Sequence, residues 1–128
     1  MRALLDTHTL LWWVTSDPQL SQPVREIITS TNNTIYLSVS SVWEIIIKTN
    51  TGKLPLPQPV PHFIESCLTV NGFESLSIEL PHILKIHQLP DYHRDPFDQI
   101  LIAQAQTENL VLLTIDHQIK RYPVQTFW

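Results

Sequence analysis

Four acidic side chains, Asp6, Glu44, Asp98 and Asp116, stand where predicted elements of this sequence begin or end. Asp6 closes the apolar run Ala3-Leu4-Leu5, and Asp116 closes Val111-Leu112-Leu113-Thr114-Ile115. Asp98 ends the run His93-Arg94-Asp95-Pro96-Phe97-Asp98, which opens a small-residue helix through Ile102-Ala103-Gln104-Ala105. Glu44 falls in the first turns of a helix that opens near Ser40. Carboxylates gathered at one place repel each other and raise one another's pKa values, a conflict that a divalent cation removes. Carboxylate oxygens suit Mg²⁺ or Mn²⁺, and such ions support phosphodiester hydrolysis.

Each acid also has a structural alternative. An Asp at a helix start caps free N–H groups and suits the macrodipole. With Ser41 as cap, Glu44 would be the third residue of a capping box. Lys48, four residues on, offers Glu44 a helix-surface ion pair instead. Asp95 and Asp98 lie three apart, but Pro96 favours placing Asp95 outside the helix as its cap, leaving Asp98 as the ligand. His8, His93 and His117 lie near acids without zinc spacing and read as polar loop residues. Cys67 reads as a buried structural thiol. Arg94, Lys48 and Lys53 are local phosphate helpers or, by the commoner pattern, solvated surface charges.

The elements that must position these groups alternate in type. Ala3–Leu5 reads as a buried strand that turns at Asp6-Thr7-His8 into a helix with Leu10, Leu11 and Val14 inward. Trp12 and Trp13 are adjacent, so one helix face cannot bury both, and one of them could meet a partner. Ser21 and Pro23 mark the start of a second helix, which runs to about Ser30. Thr34 to Ser38 is β-branched and aromatic enough for a strand. Leu54 to Pro61 is proline-rich and reads as a stiff connector. A helix near His62 to Leu68, a strand over Phe73–Ile78, a helix over Glu79–Leu89 and a final strand near Val124–Phe127 complete the pattern. Such alternation predicts an α/β fold: a three-layer α/β/α sandwich with a mostly parallel central sheet, formed by one domain over 1–128. In such sheets, sites form beyond the carboxyl ends of the strands, where these acids fall.

Composition excludes several classes. With 2 Gly in 128 residues, there is no phosphate-cradling glycine loop or dinucleotide fingerprint. A single Cys excludes an internal disulfide framework and cysteine-rich zinc sites. The acid at Asp6 comes too early for a secretory signal, and no apolar run is long enough for a membrane span, so a cytoplasmic protein is expected. Net charge is −4 with 8 Lys and Arg, so any nucleic-acid contact must be local or assisted by metal. A phosphoacceptor receiver domain shares the geometry, but Asp6 stands without a paired acid and Thr126 sits where a lysine would be wanted.

Over nearly its full length the chain resembles PIN-domain proteins, specifically VapC-like toxins of type II toxin–antitoxin pairs. The resemblance rests on Leu4-Leu5-Asp6-Thr7-His8, Ser41-Val42-Trp43-Glu44-Ile45, Gly52-Lys53-Leu54, His93-Arg94-Asp95-Pro96-Phe97-Asp98 and Leu113-Thr114-Ile115-Asp116. It implies a Mg²⁺- or Mn²⁺-dependent ribonuclease, cytoplasmic and homodimeric, held inactive by a cognate antitoxin. By position, Asp6, Glu44, Asp98 and Asp116 become the catalytic, metal-binding acids. Asp6 and Asp98 are the leading direct ligands, with Glu44 and Asp116 acting through water, at a second metal or on the nucleophile. Thr7 and Thr114 become the hydroxyl neighbours of the first and last acids. The alternative is a catalytically silent PIN-like module that binds protein or RNA.

Overall fold

The computed structural model describes residues 1–128. Its elements are β1 (Arg2–Leu5), α1 (Thr7–Val14), α2 (Gln22–Thr29), β2 (Thr34–Ser38), α3 (Val39–Asn50), α4 (Val60–Asn71), β3 (Glu74–Leu76), α5 (Leu80–Ile86), α6 (Pro96–Glu108), β4 (Val111–Leu113), α7 (His117–Lys120) and β5 (Thr126–Phe127). The strands form one sheet in the order β3-β2-β1-β4-β5, with every neighbouring pair parallel. Parallel strands need crossovers, and helices on both faces supply them.

Strand alternation divides the core into two layers. Ala3, Leu5, Ile35, Leu37 and Leu113 point to one face, against Leu10, Val24, Ile45 and Ile64. Leu4 and Leu112 point to the other, against Leu101, Ile102, Ala105 and Ile119. Adjacent positions such as Leu4 and Leu5 serve opposite layers because side chains alternate along a strand. This is the α/β/α sandwich expected from the sequence, parallel throughout. The order reverses between β1 and β4, and a crevice beyond the carboxyl ends of strands forms at such a switch point.

Several local expectations need correction. No capping box joins Ser41 to Glu44, because α3 starts directly at the end of β2. Ser38, the last residue of that strand, is the cap and accepts from Ser40 N at 3.1 Å. Ser41 is therefore inside the helix and buried. The connector ends at Pro59, since Val60 and Pro61 already belong to α4, where proline suits the first turn. The helix expected over Glu79–Leu89 is shorter, and it buries His82 while Ile83 and Leu84 face outward. The last strand contracts to Thr126–Phe127. No helix is long and apolar enough to cross a membrane.

Trp12 and Trp13 are both half-buried. Trp12 meets Trp128 edge-on at 5.7 Å, and Trp13 Nε1 donates to Asn71 Oδ1 at 3.0 Å. The most open aromatic is Trp43, 61% exposed, whose exposure no sequence pattern disclosed.

Candidate active site at the carboxyl edge of the sheet

Asp6 follows β1 and caps α1. Its Oδ1 accepts from Thr9 N at 2.7 Å, and Thr9 Oγ1 lies 2.7 Å from the same oxygen and 2.8 Å from the Leu113 carbonyl. That hydroxyl ties the first acid to β4. Burial pushes the Asp6 carboxyl above the usual carboxylate range, while hydrogen bonds from Thr114 and Thr9 and the nearby His8 act in the opposite direction.

Glu44 projects from the interior of α3. Its Oε1 accepts from Thr7 Oγ1 at 2.7 Å, and its Oε2 meets Lys48 Nζ at 2.9 Å. Thr7 Oγ1 also lies 3.0 Å from Ser41 Oγ. The helix-surface ion pair open to Glu44 in the sequence thus forms, and a hydroxyl on α1 fixes the other carboxylate oxygen. Thr7 serves Glu44 here, although the resemblance made it a neighbour of the first acid.

Asp98 occupies the first turn of α6, whose cap is Asp95, accepting from Phe97 N and Asp98 N. Of the roles open to this pair, the cap falls to Asp95, because Pro96 is the first helical residue. Asp98 Oδ2 lies 3.0 Å from His93 Nε2, and His93 Nδ1 lies 2.8 Å from the Tyr122 hydroxyl. Burial raises the Asp98 carboxyl to about 6; Asp95 and Asp116 add to the rise, and His93 opposes it.

Asp116 sits beyond the end of β4 and caps the short α7 by accepting from Gln118 N at 2.8 Å. Its own N–H donates to Thr114 Oγ1 at 3.0 Å. Thr114 thus holds the last acid's backbone and lies near enough to the first acid to favour its charged form.

All four acids lie on the carboxyl edge of the sheet, since α1, α3 and α7 follow β1, β2 and β4, and α6 runs back before entering β4. Asp98 feels the charge of Asp116. Near Glu44 and Asp98, the Trp43 and Phe97 rings meet edge-on at 5.2 Å. The side chains do not close on a single point: no three His, Cys, Asp or Glu groups form a coordination cluster. The chemistry of the donor set nevertheless fits a hard cation. Asp6, Asp98 and Asp116 have no Lys or Arg nitrogen within 4.0 Å, whereas Glu44 has one. Asp6 and Asp98, raised by burial and without a Lys or Arg partner, are oxygen donors with unneutralised charge when ionised.

Two contributors were missed in the sequence. Thr9 carried a legible signal, because a residue three beyond an N-cap supplies the N–H that the cap accepts. His93, read as a polar loop residue, is partly buried against Asp98 and Tyr122, and nothing in its spacing disclosed a partner 29 residues away. His8 and His117 show no comparable contact to an acid's oxygen; His8 lies 6.0 Å from the Trp12 ring. Cys67 is half-buried rather than buried, beside a cleft of about 400 Å³ between α1, α2 and α4.

Comparison with known proteins places this geometry in context. The family profile described as PIN domain matches residues 3–125. Ribonuclease VapC16 of Mycobacterium tuberculosis (strain ATCC 25618 / H37Rv) is 36% identical over 58 residues, a segment covering 45% of this chain and 41% of that protein. The chain thus matches less than half of that relative's length. Among solved structures, VapBC2 from Rickettsia felis, bound to a DNA fragment from its promoter, has a chain that aligns with a TM-score of 0.76 at 17% identity, covering 100% of this chain and 99% of that one. DNA-bound VapBC from Salmonella typhimurium aligns at 0.73 and 19% identity, covering 99% and 97%. FitAcB from Neisseria gonorrhoeae aligns at 0.68 and 21%, covering 100% and 97%. At these identities, the structures establish a shared fold.

Proposed function

Because this chain belongs to the PIN-domain family, we propose that it is a VapC-like ribonuclease toxin hydrolysing RNA phosphodiester bonds with Mg²⁺ or Mn²⁺. The observation that carries the proposal is the state of Asp98: partly buried on the carboxyl edge of the sheet, raised to about 6 by burial and by neighbouring acids, with no Lys or Arg to neutralise it. Such a carboxylate costs stability when ionised alone and becomes useful when a cation arrives.

Asp6 and Asp98 are the direct ligands in this reading, and Asp116 and Glu44 orient water or phosphate. When bound, the cation supplies a more acidic water and charge stabilisation at the phosphate. Thr9 holds one Asp6 oxygen, and His93 holds Asp98 Oδ2, so each carboxylate presents a fixed remaining lone-pair set. Thr7 and Lys48 together fix both oxygens of Glu44.

The proposed partners are RNA as substrate, a cognate antitoxin and a second copy of the chain. VapBC names in the structural relatives support an antitoxin. Apolar stripes support assembly: Val39, Trp43 and Ile47 on α3, and Leu80, Ile83 and Leu84 on α5, are all exposed. Their spacings of three and four residues place each set on one helix face. A cytoplasmic location completes the reading.

The test is incubation of antitoxin-free protein with mixed cellular RNA and Mg²⁺ or Mn²⁺, beside EDTA and Asp98→Asn controls. Cleavage lost in both controls supports the metal ribonuclease. A folded protein that neither cleaves nor binds metal would instead be a silent PIN-like module.

A further inference from the structure

Beside the acids, a cleft of about 420 Å³ opens between α1, the end of α3 and the segment that follows it. His8, Trp12, Lys48, Lys53, Leu54 and Leu56 are among the residues that line it. We propose that this cleft binds single-stranded RNA next to the scissile phosphate, with one base stacked on Trp12 and His8 and an adjoining phosphate against Lys53. The inference rests on the ribonuclease reading for the identity of the ligand.

Continuity with the site comes first. Lys48 lines the cleft and also holds Glu44 Oε2 at 2.9 Å, and His8 lies two residues after Asp6. The cleft therefore adjoins the site through Lys48 and its partner Glu44.

The cleft also concentrates positive charge. The chain has only 8 Lys and Arg and a net charge of −4, yet two of those lysines face one cleft. Lys53 is exposed and forms no ion pair with Asp or Glu, so its charge is free for a phosphate. In an acidic protein, local cations are what a phosphate backbone can use.

Aromatic rings supply a platform in the same cleft. Trp12 is held edge-on by Trp128 at 5.7 Å, and the His8 ring is tilted 45° to it at 6.0 Å. A ring already fixed by its neighbour needs little further ordering to receive a base. Leu54, Pro55 and Leu56 supply apolar walls suited to a base, whereas a phosphate-only site would want more donors. Stacking platforms beside cationic backbone contacts are how single strands are held without base-edge readout.

The test is performed on an Asp98→Asn background with Mg²⁺, so that binding is read without hydrolysis. Short oligo-A and oligo-U ribonucleotides are titrated while tryptophan fluorescence and the salt dependence of affinity are followed. The expected result is fluorescence quenching that is largely lost in Trp12→Phe, with binding retained because a π-face remains. Trp12→Leu should weaken affinity at least about fivefold. Lys53→Ala, on an exposed side chain, should weaken it about two- to fivefold and lower the salt slope by roughly 0.7. Quenching unchanged in Trp12→Phe, together with an unchanged salt slope in Lys53→Ala, would overturn the subsite, as would absence of oligonucleotide binding by the folded protein. Cleavage by the unmodified chain, tested separately with EDTA, distinguishes the two readings. Cleavage with neither substitution effect removes the subsite and leaves the nuclease; both effects without cleavage keep the subsite on a protein that is not a nuclease.

Discussion

His93 stands between Asp98 and Tyr122, with Nε2 3.0 Å from the Asp98 carboxylate and Nδ1 2.8 Å from the Tyr122 hydroxyl. The backbone N–H of His93 also donates to that hydroxyl at 3.2 Å. In the neutral tautomer whose Nε2–H donates to Asp98, Nδ1 accepts from the Tyr122 hydroxyl. A loop residue thereby becomes a brace joining the start of α6 to the chain just after α7.

Replacing His93 with Phe should leave the fold intact and lower both Mn²⁺ affinity and RNA cleavage by about tenfold, the usual effect of losing an outer partner of a metal ligand. Tyr122→Phe should have a smaller effect in the same direction. Calorimetric titration of Mn²⁺ and cleavage rates would check the pair, with circular dichroism confirming the fold. Equal losses of melting temperature and activity would make the brace purely structural.

The raised acids give a signed pH dependence. The folded chain holds the Asp98 proton up to about 6, against roughly 3.9 for an unfolded Asp. Its contribution to stability is therefore full below about pH 4 and is lost as pH rises through about 6. Asp6, also raised by burial, acts in the same direction. Without divalent metal, the Asp98 shift should lower unfolding free energy by about 1–3 kcal/mol across that window. Mg²⁺ should then raise the melting temperature more at pH 7 than at pH 5. Urea unfolding at several pH values, with and without Mg²⁺, would check both statements.

Thr9→Val keeps shape and removes a fully buried hydroxyl that lies between Asp6 Oδ1 and the Leu113 carbonyl. Leaving those acceptors short of a donor should cost about 1–3 kcal/mol. The loss should be larger at pH 7 than at pH 4, because the ionised carboxylate needs the donor more. Denaturant midpoints at the two pH values would measure it.

Leu84 is 60% exposed and Leu80 is 68% exposed on α5. If that face is covered by a second copy, Leu84→Lys should convert a dimer into a monomer without lowering the protomer's own stability. Light scattering after size exclusion would read the change. A dimer unaffected by Leu84→Lys and by Trp43→Ala would place its interface elsewhere.

The sequence made some of this legible because local chemistry and fold agree. Ser21 and Pro23 start α2, with Ser30 after its last turn, and Thr34–Ser38 forms β2 with the expected bounds. Pro96 separated the capping Asp95 from Asp98 for the same local reason. The capping box offered as an alternative for Glu44 does not form, because the direct passage from β2 into α3 makes Ser38, not Ser41, the cap. His93 was passed over because its partners are set by loop conformation and a distant tyrosine, which have no sequence period. On α5, the apolar Ile83 and Leu84 are outward, and His82 is buried with its Nδ1 accepting from Glu79 N at 2.9 Å. Which apolar residues of a short helix face outward is set by packing rather than by composition.

The central claim is that Asp6 and Asp98 hold a divalent cation. Calorimetric titration of Mn²⁺ into the purified chain at pH 6, repeated in two buffers of different ionisation enthalpy, addresses it directly. Saturable binding with proton release is expected, since Asp98 is close to half-protonated there. Asp98→Asn should weaken binding at least about tenfold and remove most of the proton release. A folded protein that binds no Mn²⁺, or binds it equally well after Asp6→Asn and Asp98→Asn, would contradict the claim.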